Sequence, residues 1–381
     1  MNNITRGLLK AGHRVKVLAM NTPKQNISPD EITEDYRKIT GLESVYVDTK
    51  IKFHKAFCNI FSTESYNVER FISAEFEDKV KQIVSSAKFD IVQLESIFVA
   101  PYIAAIRKSS NAKIVLRAHN IEHIIWDRLA GNCHNPVKRM YIRHLARTLK
   151  KYEYKVFGSV DGIAAITQHD ADFLIRSGVY KPVISIPIGI EQDLVTEYDV
   201  KREFPGFFHL GSMDWMPNQE GVRWFIDNVW PVVVKEYPNV SLCLAGRNMP
   251  DWLKELKMQG VIVQGEVEHA FRYMQSKSVM IVPLLSGSGM RVKIIEGMAC
   301  GNTVISTRVG AEGICCVNEK DILIANNPEE FVTQIGKCIA NPSFCRSIGK
   351  QAKQLVMDKY NNDAITAGLL QFYSELLHIV V

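Results

Sequence analysis

The chain has 381 residues, of which 46% are apolar and 23% charged, and its net charge is +5. That length exceeds a typical single domain and predicts two domains of roughly 150–200 residues. No stretch approaches the ~20 uninterrupted apolar residues of a membrane span. The N-terminus lacks the apolar core of a signal peptide, and none of the eight cysteines forms a C-x-x-C pair. We therefore expect a reduced, cytoplasmic protein without structural zinc.

The first half of the chain alternates short apolar runs with segments of helical spacing. The predicted strands are Val15–Met20, Asp90–Glu95, Lys113–Arg117, Gly162–Thr167 and Val183–Pro187. The predicted helices are Asn3–Ala11, Phe71–Ala87, Pro101–Lys108, Lys138–Phe157 and His169–Ser177. This βα rhythm is typical of a parallel sheet. Because doubly wound domains usually begin with a strand, whereas this chain begins with a helical pattern, we expect the first strand and its loop to be missing.

A polar linker, Glu191–Glu203, precedes a second βα series. Its predicted strands are Phe207–Gly211, Val240–Gly246, Val261–Val263, Val279–Pro283, Thr303–Ser306 and Ile322–Ala325. Its predicted helices are Gly221–Glu236, Asp251–Lys257, His269–Ser276, Pro328–Ile339, Ser343–Lys359 and Asp363–His378. The pattern predicts two doubly wound α/β domains, 1–193 and 204–360, with a cleft between them. Ligands of such sheets bind at the carboxyl ends of the strands.

Positive charge concentrates in the first half, where residues 1–181 carry 28 Lys and Arg against 19 Asp and Glu. The excess peaks in Val137–Lys155, which has seven cations, one glutamate and helical apolar spacing. One interpretation is a surface helix with a solvated charged face. The other is a face that rests on anionic lipid headgroups, where each cation contributes ~1 kcal/mol. No aromatic-interleaved basic motif accompanies the charge, so we predict no nucleic-acid partner.

The segment from Pro283 to Gly301 has the order strand, small-residue turn and helix. The turn Ser286–Gly289 follows the apolar strand, and Arg291, Lys293 and Glu296 follow the turn. Backbone N–H groups and a helix N-terminus in this order bind anions. The two cations would add to that site, and the glutamate could accept hydrogen bonds from sugar hydroxyls. The motif therefore predicts nucleotide-sugar binding.

Two other strand ends carry candidate ligand contacts. Gly211 and Ser212 end a strand and lead to a helix predicted near Gln219, which Asn218 could cap; an ordinary strand-to-helix turn is the alternative. In the first domain, polar side chains follow the strand Lys113–Arg117, and these are Arg117, His119, Asn120 and Glu122. A lone histidine is usually structural, but four polar groups at one strand end favour sugar or acceptor contacts.

These segments together resemble the retaining glycosyltransferases of family 4, which have the GT-B fold of two facing Rossmann-like domains with an interdomain cleft. The matching motifs include R-A-H-N-I-E, H-L-G-S-M-D-W-M-P-N, S-G-S-G-M-R-V-K-I-I-E-G-M-A-C-G and T-R-V-G-A-E-G. The resemblance implies that Glu296 binds the nucleotide ribose and that His119 contacts the donor sugar and phosphate. It also implies that the closing helix, 363–381, packs back on the first domain. The donor contacts expected are Gly211, Ser212, Asn218, Gly287, Ser288, Gly289, Met290 and Glu296.

The chain departs from the family pattern in two places. The family often has two glutamates separated by seven residues, and Ser288 occupies the first position here. The usual Arg and Lys after the first strand of the second domain are replaced in a stretch that holds Met213 and Glu220. Arg291 and Lys293 are therefore expected to clamp the diphosphate and to be catalytic together with His119.

The expected reaction is retaining transfer of a sugar from a nucleotide-sugar donor to an acceptor hydroxyl in polysaccharide or glycolipid biosynthesis. No Asp-x-Asp motif lies in a suitable loop, so we expect no metal and no other cofactor. The expected partners are a nucleoside-diphosphate sugar, a glycan or lipid-linked acceptor, and an anionic surface at the inner membrane face. The alternatives are a catalytically inactive nucleotide-sugar-binding subunit, a GT-B epimerase and a phosphorylase. No G-x-G-x-x-G opens a strand–helix turn, which disfavours a dehydrogenase.

Overall fold

The computed structural model describes residues 2–23, 32–50, 59, 62, 64–131, 133, 135–190, 198–287 and 289–378. Part of the predicted linker, residues 191–197, and the candidate donor contact Ser288 lie outside this set. Internal contacts divide the chain into two compact units. The first comprises Met1–Pro187 with Thr366–Val381, and the second comprises Ile188–Ile365.

The first unit contains parallel sheets and helices in alternation, as the sequence predicts. Strands β1 and β2 pair with each other, and the other four pair in the order β3-β4-β5-β6. The strands are β1 (Leu18–Asn21), β2 (Glu43–Tyr46), β3 (Ile91–Leu94), β4 (Lys113–Ala118), β5 (Gly162–Ala165) and β6 (Val183–Ser185). The helices are α1 (Asn2–Lys10), α2 (Glu34–Thr40), α3 (Tyr66–Glu69), α4 (Ala74–Ser86), α5 (Ile103–Ser109), α6 (Glu122–Gly131), α7 (Pro136–Ser159) and α8 (Gln168–Arg176). The elements β2, α2, α3 and α6 are additional to the sequence prediction.

Strand β4 explains why the alternation could be read from sequence. Its central residues Ile114, Val115 and Leu116 are fully buried, because β3 and β5 flank the strand and helices cover both faces of a parallel sheet. Helix α7 shows the complementary pattern, with Leu145 and Leu149 buried on one side. The side chain of Asn135 caps this helix by accepting a 3.0 Å hydrogen bond from the backbone N–H of Lys138, as asparagine commonly does at helix N-termini.

The second unit has one six-stranded parallel sheet in the order β12-β11-β10-β7-β8-β9. The strands are β7 (Phe207–Leu210), β8 (Leu242–Ala245), β9 (Val261–Gly265), β10 (Val279–Val282), β11 (Thr303–Ser306) and β12 (Leu323–Ile324). The helices are α9 (Met216–Asn228), α10 (Trp230–Glu236), α11 (Asp251–Lys254), α12 (Ala270–Ser276), α13 (Val292–Ala299), α14 (Pro328–Ala340), α15 (Pro342–Lys359) and α16 (Asn362–His378). Residues of α16 from Thr366 onward belong to the first unit.

One predicted helix is divided in the structure. The sequence pattern predicts a single helix over Gly221–Glu236, but α9 ends at Asn228 and α10 begins at Trp230. The cause is Pro231, which has no backbone N–H and is tolerated only in the first turn of a helix. The apolar spacing continues across the break because Phe225 and Trp230 both pack in the same core.

The order of the second sheet determines where a ligand can bind. The chain moves outward from β7 through β8 to β9, and then from β10 through β11 to β12 on the other side. Strands β7 and β10 are therefore neighbours whose following segments leave in opposite directions. Such a switch point leaves a crevice at the carboxyl ends of the strands. Gly211 follows β7 and Pro283 follows β10 at this edge.

Gly246, directly after β8, permits an unusually close backbone approach at the same edge. Its φ is +145°, and a Cβ atom at this position would lie 1.8 Å from the carbonyl oxygen of Gly211. The segments that follow β7 and β8 can therefore approach each other only if residue 246 has no side chain.

We expect Gly246→Ala to lower the free energy of unfolding by at least about 2 kcal/mol, because positive φ and overlap with the backbone both oppose a Cβ atom. Urea unfolding would measure the loss. Gly131→Ala is the matched control, since a Cβ there meets no atom of the described residues within 4 Å. Equal unfolding midpoints for the two variants would contradict the close approach.

Candidate active site

The loop between β10 and α13 contains two glycines with positive φ, Gly287 at +126° and Gly289 at +77°. A Cβ atom on Gly287 would lie 2.7 Å from a terminal nitrogen of Arg291 and 3.4 Å from the ring of Trp215. The absence of a side chain at Gly287 therefore lets the loop close against the guanidinium. The backbone at Gly287 thus lies directly against the charged side chain of Arg291.

Arg291 is the residue before α13 and is only 5% exposed. Its guanidinium donates a hydrogen bond to the carbonyl of Gly289 and lies 5.4 Å from the ring centroid of Trp215. A cation at this distance from an indole face is attracted to the ring. Arg291 is thus held at the N-terminus of a helix, where an anion would also bind.

Lys293 lies in the first turn of α13 and is partly buried. Its Nζ donates a 2.7 Å hydrogen bond to Oδ1 of Asn218 and lies 3.5 Å from Nε2 of His209. A Cβ atom on Gly211 would lie 3.0 Å from this Nζ, so the glycine at the end of β7 leaves room for the ammonium group. The sheet edge, α9 and α13 converge on this lysine.

Burial and the nearby charge of Arg291 lower the pKa of Lys293 to about 7. His209 beneath it is 1% exposed, and its Nδ1 donates a 2.8 Å hydrogen bond to the carbonyl of Ile281. Its Nε2 then carries a lone pair that can face Lys293. Burial, together with the charge of Lys293, holds the pKa of His209 well below its usual value, so the histidine is neutral at physiological pH.

Asn218 has a different role from the one predicted. It lies within the first turn of α9, which begins at Met216 rather than near Gln219. Its Nδ2 donates a 2.7 Å hydrogen bond to the carbonyl of Ser212, while its Oδ1 accepts from Lys293. The prediction that Asn218 caps the helix is therefore wrong, because its amide connects Lys293 to the loop after β7.

Glu296 lies in the second turn of α13, three residues beyond Lys293. Burial raises the pKa of its carboxyl group. The end of this helix is held by Arg202, whose guanidinium donates to the carbonyls of Cys300 (2.6 Å) and Gly301 (3.0 Å). The helix ends at Ala299, and Gly301 follows with φ of +72°, a left-handed glycine of the kind that commonly ends a helix.

The structure brings most of the predicted donor contacts together. Gly211, Ser212, Asn218 and Lys293 form one connected group. Gly287, Gly289 and Arg291 form the adjacent loop, and Met290 is 8% exposed there. Sequence reasoning missed His209 and Trp215, whose only signal was that they lie within the H-L-G-S-M-D-W motif.

A cavity of about 500 Å³ opens at the carboxyl ends of β8 and β9. Its lining residues are Gly246, Asn248, Met249, Lys254, Val263, Gln264, Gly265 and Glu266. This volume lies within the usual range of small-molecule pockets. Because all six strands are parallel, the cavity lies at the same sheet edge as Gly211 and Arg291.

In the first unit, His119 follows β4 and forms a pair with Glu95, which follows β3. Nε2 of His119 lies 2.9 Å from Oε2 of Glu95. Arg117 is 2% exposed; its Nε lies 3.9 Å from the same oxygen, and its terminal nitrogen donates to the carbonyl of Pro187 at 3.4 Å. Arg117 thus lies beneath Glu95 rather than at the surface. Sequence reasoning placed Glu95 only at a strand end and did not assign it to the site.

The charge state of Glu95 follows from these neighbours. Burial by itself would raise the pKa of this carboxyl group, but the hydrogen bond from His119 and the charge of Arg117 lower it below its ordinary value. The side chains of His119 and Glu95 remain 34% and 22% exposed. An ionised carboxylate beside a partly exposed imidazole therefore lies at the carboxyl edge of this sheet.

The remaining candidates, Asn120 and Glu122, lie at the start of α6. Nδ2 of Asn120 donates to Oε1 of Glu122 at 3.3 Å. Burial, with the nearby charge of Glu153, raises the pKa of Glu122. Glu153 is fully buried and accepts from the backbone N–H groups of Glu122 (2.9 Å) and His123 (3.0 Å). Its carboxylate satisfies the N-terminus of this helix.

The described residues contain neither a metal-type cluster nor a membrane-spanning helix. Within the described ranges, no three His, Cys, Asp or Glu side chains are grouped as a metal ion would require. No helix in that part of the chain is both long and apolar enough to cross a bilayer. The seven described cysteines are all free.

Fold and site together define a protein with Rossmann-like domains and a helix N-terminus that holds two cations at a topological switch point. The model of the family described as Glycosyltransferase Family 4 matches residues 1–194, and the model described as Glycosyl transferases group 1 matches residues 205–341. The chain therefore belongs to glycosyltransferase family 4, and it is a glycosyltransferase. The resemblance seen in the sequence is confirmed.

Two curated proteins are similar to this chain, and one of them is named as a glycosyltransferase. A protein of Klebsiella pneumoniae, named as an uncharacterised 44.6 kDa protein in the cps region, is 22% identical over 96% of this chain and 92% of its own length. An uncharacterised glycosyltransferase of Methanocaldococcus jannaschii is 31% identical over 27% of this chain and 30% of its own length.

Solved structures show the same fold. Sucrose-phosphate synthase from Thermosynechococcus elongatus matches with a TM-score of 0.67 and 16% identity, over 99% of this chain and 92% of that chain. Anabaena HepE, solved in complex with UDP, matches with a TM-score of 0.63 and 14% identity, over 95% of this chain and 100% of that chain. The predicted GT-B class is confirmed.

We expect anion binding to the loop and α13 to weaken as pH rises through about 7, the pKa of Lys293. A bound anion favours the charged ammonium, so affinity is highest below this pKa and falls by at most about tenfold per pH unit above it. Sulfate is a suitable probe because its charge is constant near neutrality, and thermal shift at several sulfate concentrations would give the affinity.

Lys293→Met should remove this pH dependence, whereas Lys235→Met, which removes an exposed lysine of α10, should keep it. An affinity for sulfate that is the same one pH unit below and one unit above the pKa in the unmodified protein would contradict the role of Lys293.

Proposed function

We propose that the protein transfers a sugar from a nucleoside-diphosphate donor to an acceptor hydroxyl with retention of anomeric configuration. The observation that carries this proposal is the pair of buried or partly buried cations, Arg291 and Lys293, at the N-terminus of α13 and at the switch point of the sheet. Family membership makes the protein a glycosyltransferase, and the cations suit a donor whose leaving group is a diphosphate.

The bond that breaks joins the anomeric carbon to the diphosphate, and the new bond joins that carbon to the acceptor oxygen on the same face. In this front-face reaction the acceptor proton passes to the leaving diphosphate. Negative charge grows on the diphosphate in the transition state, and groups already held in place to receive it lower the barrier. Arg291, Lys293 and the amides of the 286–289 loop are assigned this role.

The other donor contacts follow from the chemistry of the sheet edge. Glu296, on the same helix, is assigned to the ribose hydroxyls, because a carboxylate accepts two hydrogen bonds from neighbouring hydroxyls. The cavity beside Gly246 has the volume for the nucleoside. His119 of the first unit is assigned to a hydroxyl of the donor sugar. Arg117, Asn120 and Glu122 are assigned to the group of polar residues around His119.

The relatives support the class of donor and the biological setting. Anabaena HepE was solved with UDP, with UDP and glucose, and with UDP-glucose, and a pneumococcal O-GlcNAc transferase was solved with UDP and GlcNAc. The Klebsiella pneumoniae relative lies in the cps region. We extend these to a nucleotide-sugar donor and to an acceptor in polysaccharide or glycolipid biosynthesis.

We propose further that the reaction needs no divalent ion, because Arg291 and Lys293 can supply the positive charge that a metal ion would otherwise bring to the diphosphate. Turnover that continues unchanged in a chelator would agree with this proposal, and loss of turnover that added magnesium restores would contradict it.

We expect Arg291→Ala to reduce turnover by ~10²-fold or more, because it removes a preorganised donor to the developing charge. The assay incubates the protein with a panel of nucleotide sugars and measures nucleoside diphosphate release with and without acceptor. Arg223→Ala is the matched control, since Arg223 also lies over an indole, 4.2 Å from the ring centroid of Trp252, but on a different part of α9.

Near-normal turnover in Arg291→Ala would exclude the clamp. Binding of a nucleotide sugar by the unmodified protein, without release in the presence of any acceptor, would favour the inactive binding subunit instead.

We also propose that α7 holds the protein at the cytoplasmic face of an anionic membrane. The cations of this helix are exposed, and these are Lys138, Arg139, Arg143, Arg147, Lys150, Lys151 and Lys155. At its N-terminal end Val137 and Met140 are also exposed, at 71% and 68%. Apolar side chains beside exposed cations suit an interface of headgroups and acyl chains.

We expect co-sedimentation with vesicles that contain anionic lipid, weakening as salt screens the attraction. Arg139→Glu with Arg143→Glu should abolish it. The same charge change at Lys235 and Lys257, exposed lysines of the second unit, should have a smaller effect. Equal binding to neutral and anionic vesicles, or none at low salt, would contradict the proposal.

A further inference from the structure

A chain of hydrogen bonds in the first unit leads from the closing helix to His119. The hydroxyl of Tyr373, on α16, donates to Oε1 of Gln93. Nε2 of Gln93 donates to Oε1 of Glu95 at 2.5 Å, and the other carboxylate oxygen of Glu95 lies 2.9 Å from Nε2 of His119. Four side chains from α16, β3 and the ends of β3 and β4 are thus connected in series.

The chemistry of these groups determines which one donates and which one accepts in each hydrogen bond of the series. The neighbouring groups hold the pKa of Glu95 below its ordinary value, so its carboxylate only accepts hydrogen bonds. The amide of Gln93 must therefore present its NH₂ group to Glu95, which leaves its oxygen to accept from Tyr373. For the same reason Nε2 of His119 must carry the proton in its bond to Glu95.

Arg117 keeps Glu95 ionised from below. Its guanidinium is 2% exposed, and its Nε lies 3.9 Å from Oε2 of Glu95. A buried cation of this kind is stable only beside a negative charge. The carboxylate thus has a neighbour that favours its charge and two donors that fix its orientation.

The consequence concerns the second nitrogen of His119. With the proton on Nε2, Nδ1 of a neutral imidazole carries a lone pair and can accept a hydrogen bond from a hydroxyl group. The side chain is 34% exposed, so a ligand can reach it. A histidine without such a partner could exchange tautomers and would offer a donor as readily as an acceptor.

We propose that Glu95, held by Gln93 and Tyr373, is a positioning residue that fixes His119 with its proton on Nε2, so that Nδ1 accepts a hydrogen bond from a sugar hydroxyl of the substrate. The inference rests on the proposed function only for the identity of that hydroxyl. The tautomer of His119 and its dependence on Glu95 and Tyr373 are properties of the protein without ligand.

The isosteric variant Glu95→Gln tests the central step. A carboxylate offers acceptors to both Gln93 and His119, but an amide has one oxygen and one NH₂ group. While Gln93 keeps its oxygen toward Tyr373, one of the two donors to residue 95 loses its acceptor in this variant. Because Glu95→Gln also removes the charge beside Arg117 and can destabilise the unit, Tyr373→Phe is the second variant, which leaves every charge in place.

Two-dimensional ¹H–¹⁵N spectra of the ligand-free protein, recorded at alkaline pH where imidazoles are neutral, report the tautomer directly. His119→Gln identifies the resonance. We expect a single Nε2–H tautomer in the unmodified protein, a mixture in Glu95→Gln and a smaller shift in Tyr373→Phe. Tyr152→Phe is the matched control, because its buried hydroxyl has no hydrogen-bond partner among the described residues, and it should leave the spectrum unchanged. An Nδ1–H tautomer in the unmodified protein, or no change in Glu95→Gln, would overturn the inference.

Kinetics with the donor selected by the panel complete the test. We expect Glu95→Gln to lower kcat about tenfold or more and Tyr373→Phe to lower it several-fold. The affinity for the nucleoside diphosphate alone should not change, because that product lacks the sugar. Glu95→Asp should recover part of the rate, and Glu75→Gln, at an exposed position on α4, should behave as the unmodified protein.

The two possible failures differ. If His119→Ala leaves turnover unchanged, the role of His119 in the proposed function is wrong. If His119→Ala is slow but Glu95→Gln and Tyr373→Phe are as fast as the unmodified protein, only the positioning role of Glu95 is wrong.

Discussion

The candidate site depends on one topological constraint, the adjacency of β7 and β10 at the centre of the second sheet. Because the chain leaves these two strands in opposite directions, a crevice forms between the segments that follow them. Glycine at 246 then lets the segments after β7 and β8 approach at a distance that a Cβ atom would prevent, and glycine at 211 leaves room for Lys293. The loop before α13 enters this opening. Lys293 therefore contacts His209 and Asn218, which lie near the start of the second unit's sequence.

The surroundings of Arg291 and Lys293 at this opening disfavour positive charge. Lys293 is partly buried, and its pKa of about 7 shows that its environment disfavours the charge. Arg291 lies against Trp215 and at a helix N-terminus, where an anion is favoured but a cation is not. Arg202 stabilises the opposite end of the same helix. Surroundings that destabilise the charged form of Lys293 are well suited to bind a diphosphate, because the negative charge of a bound diphosphate would stabilise that charged form.

Two carboxyl groups near the first sheet, Glu95 and Glu122, have pKa values that their surroundings shift in opposite directions. Glu95 has Arg117 and His119 beside it, and its pKa is lowered. Glu122 is buried near Glu153, and its pKa is raised. The same residue type is therefore held ionised at the end of β3 and is more easily protonated at the start of α6. The first arrangement fixes a histidine, and the second stabilises a helix terminus through Glu153.

The sequence by itself determined the βα alternation, nearly every strand, the helix that contains Lys293 and Glu296, and the family, because apolar periodicity and glycine turns are local properties of the chain. It did not reveal the polar strand β2 or the break at Pro231. Only the tertiary structure decided which side chains act together. His209 meets Lys293 across 84 residues, Glu95 meets His119 across 24 and Tyr373 meets Gln93 across 280. Sheet order and register create these pairs, and no local pattern contains them.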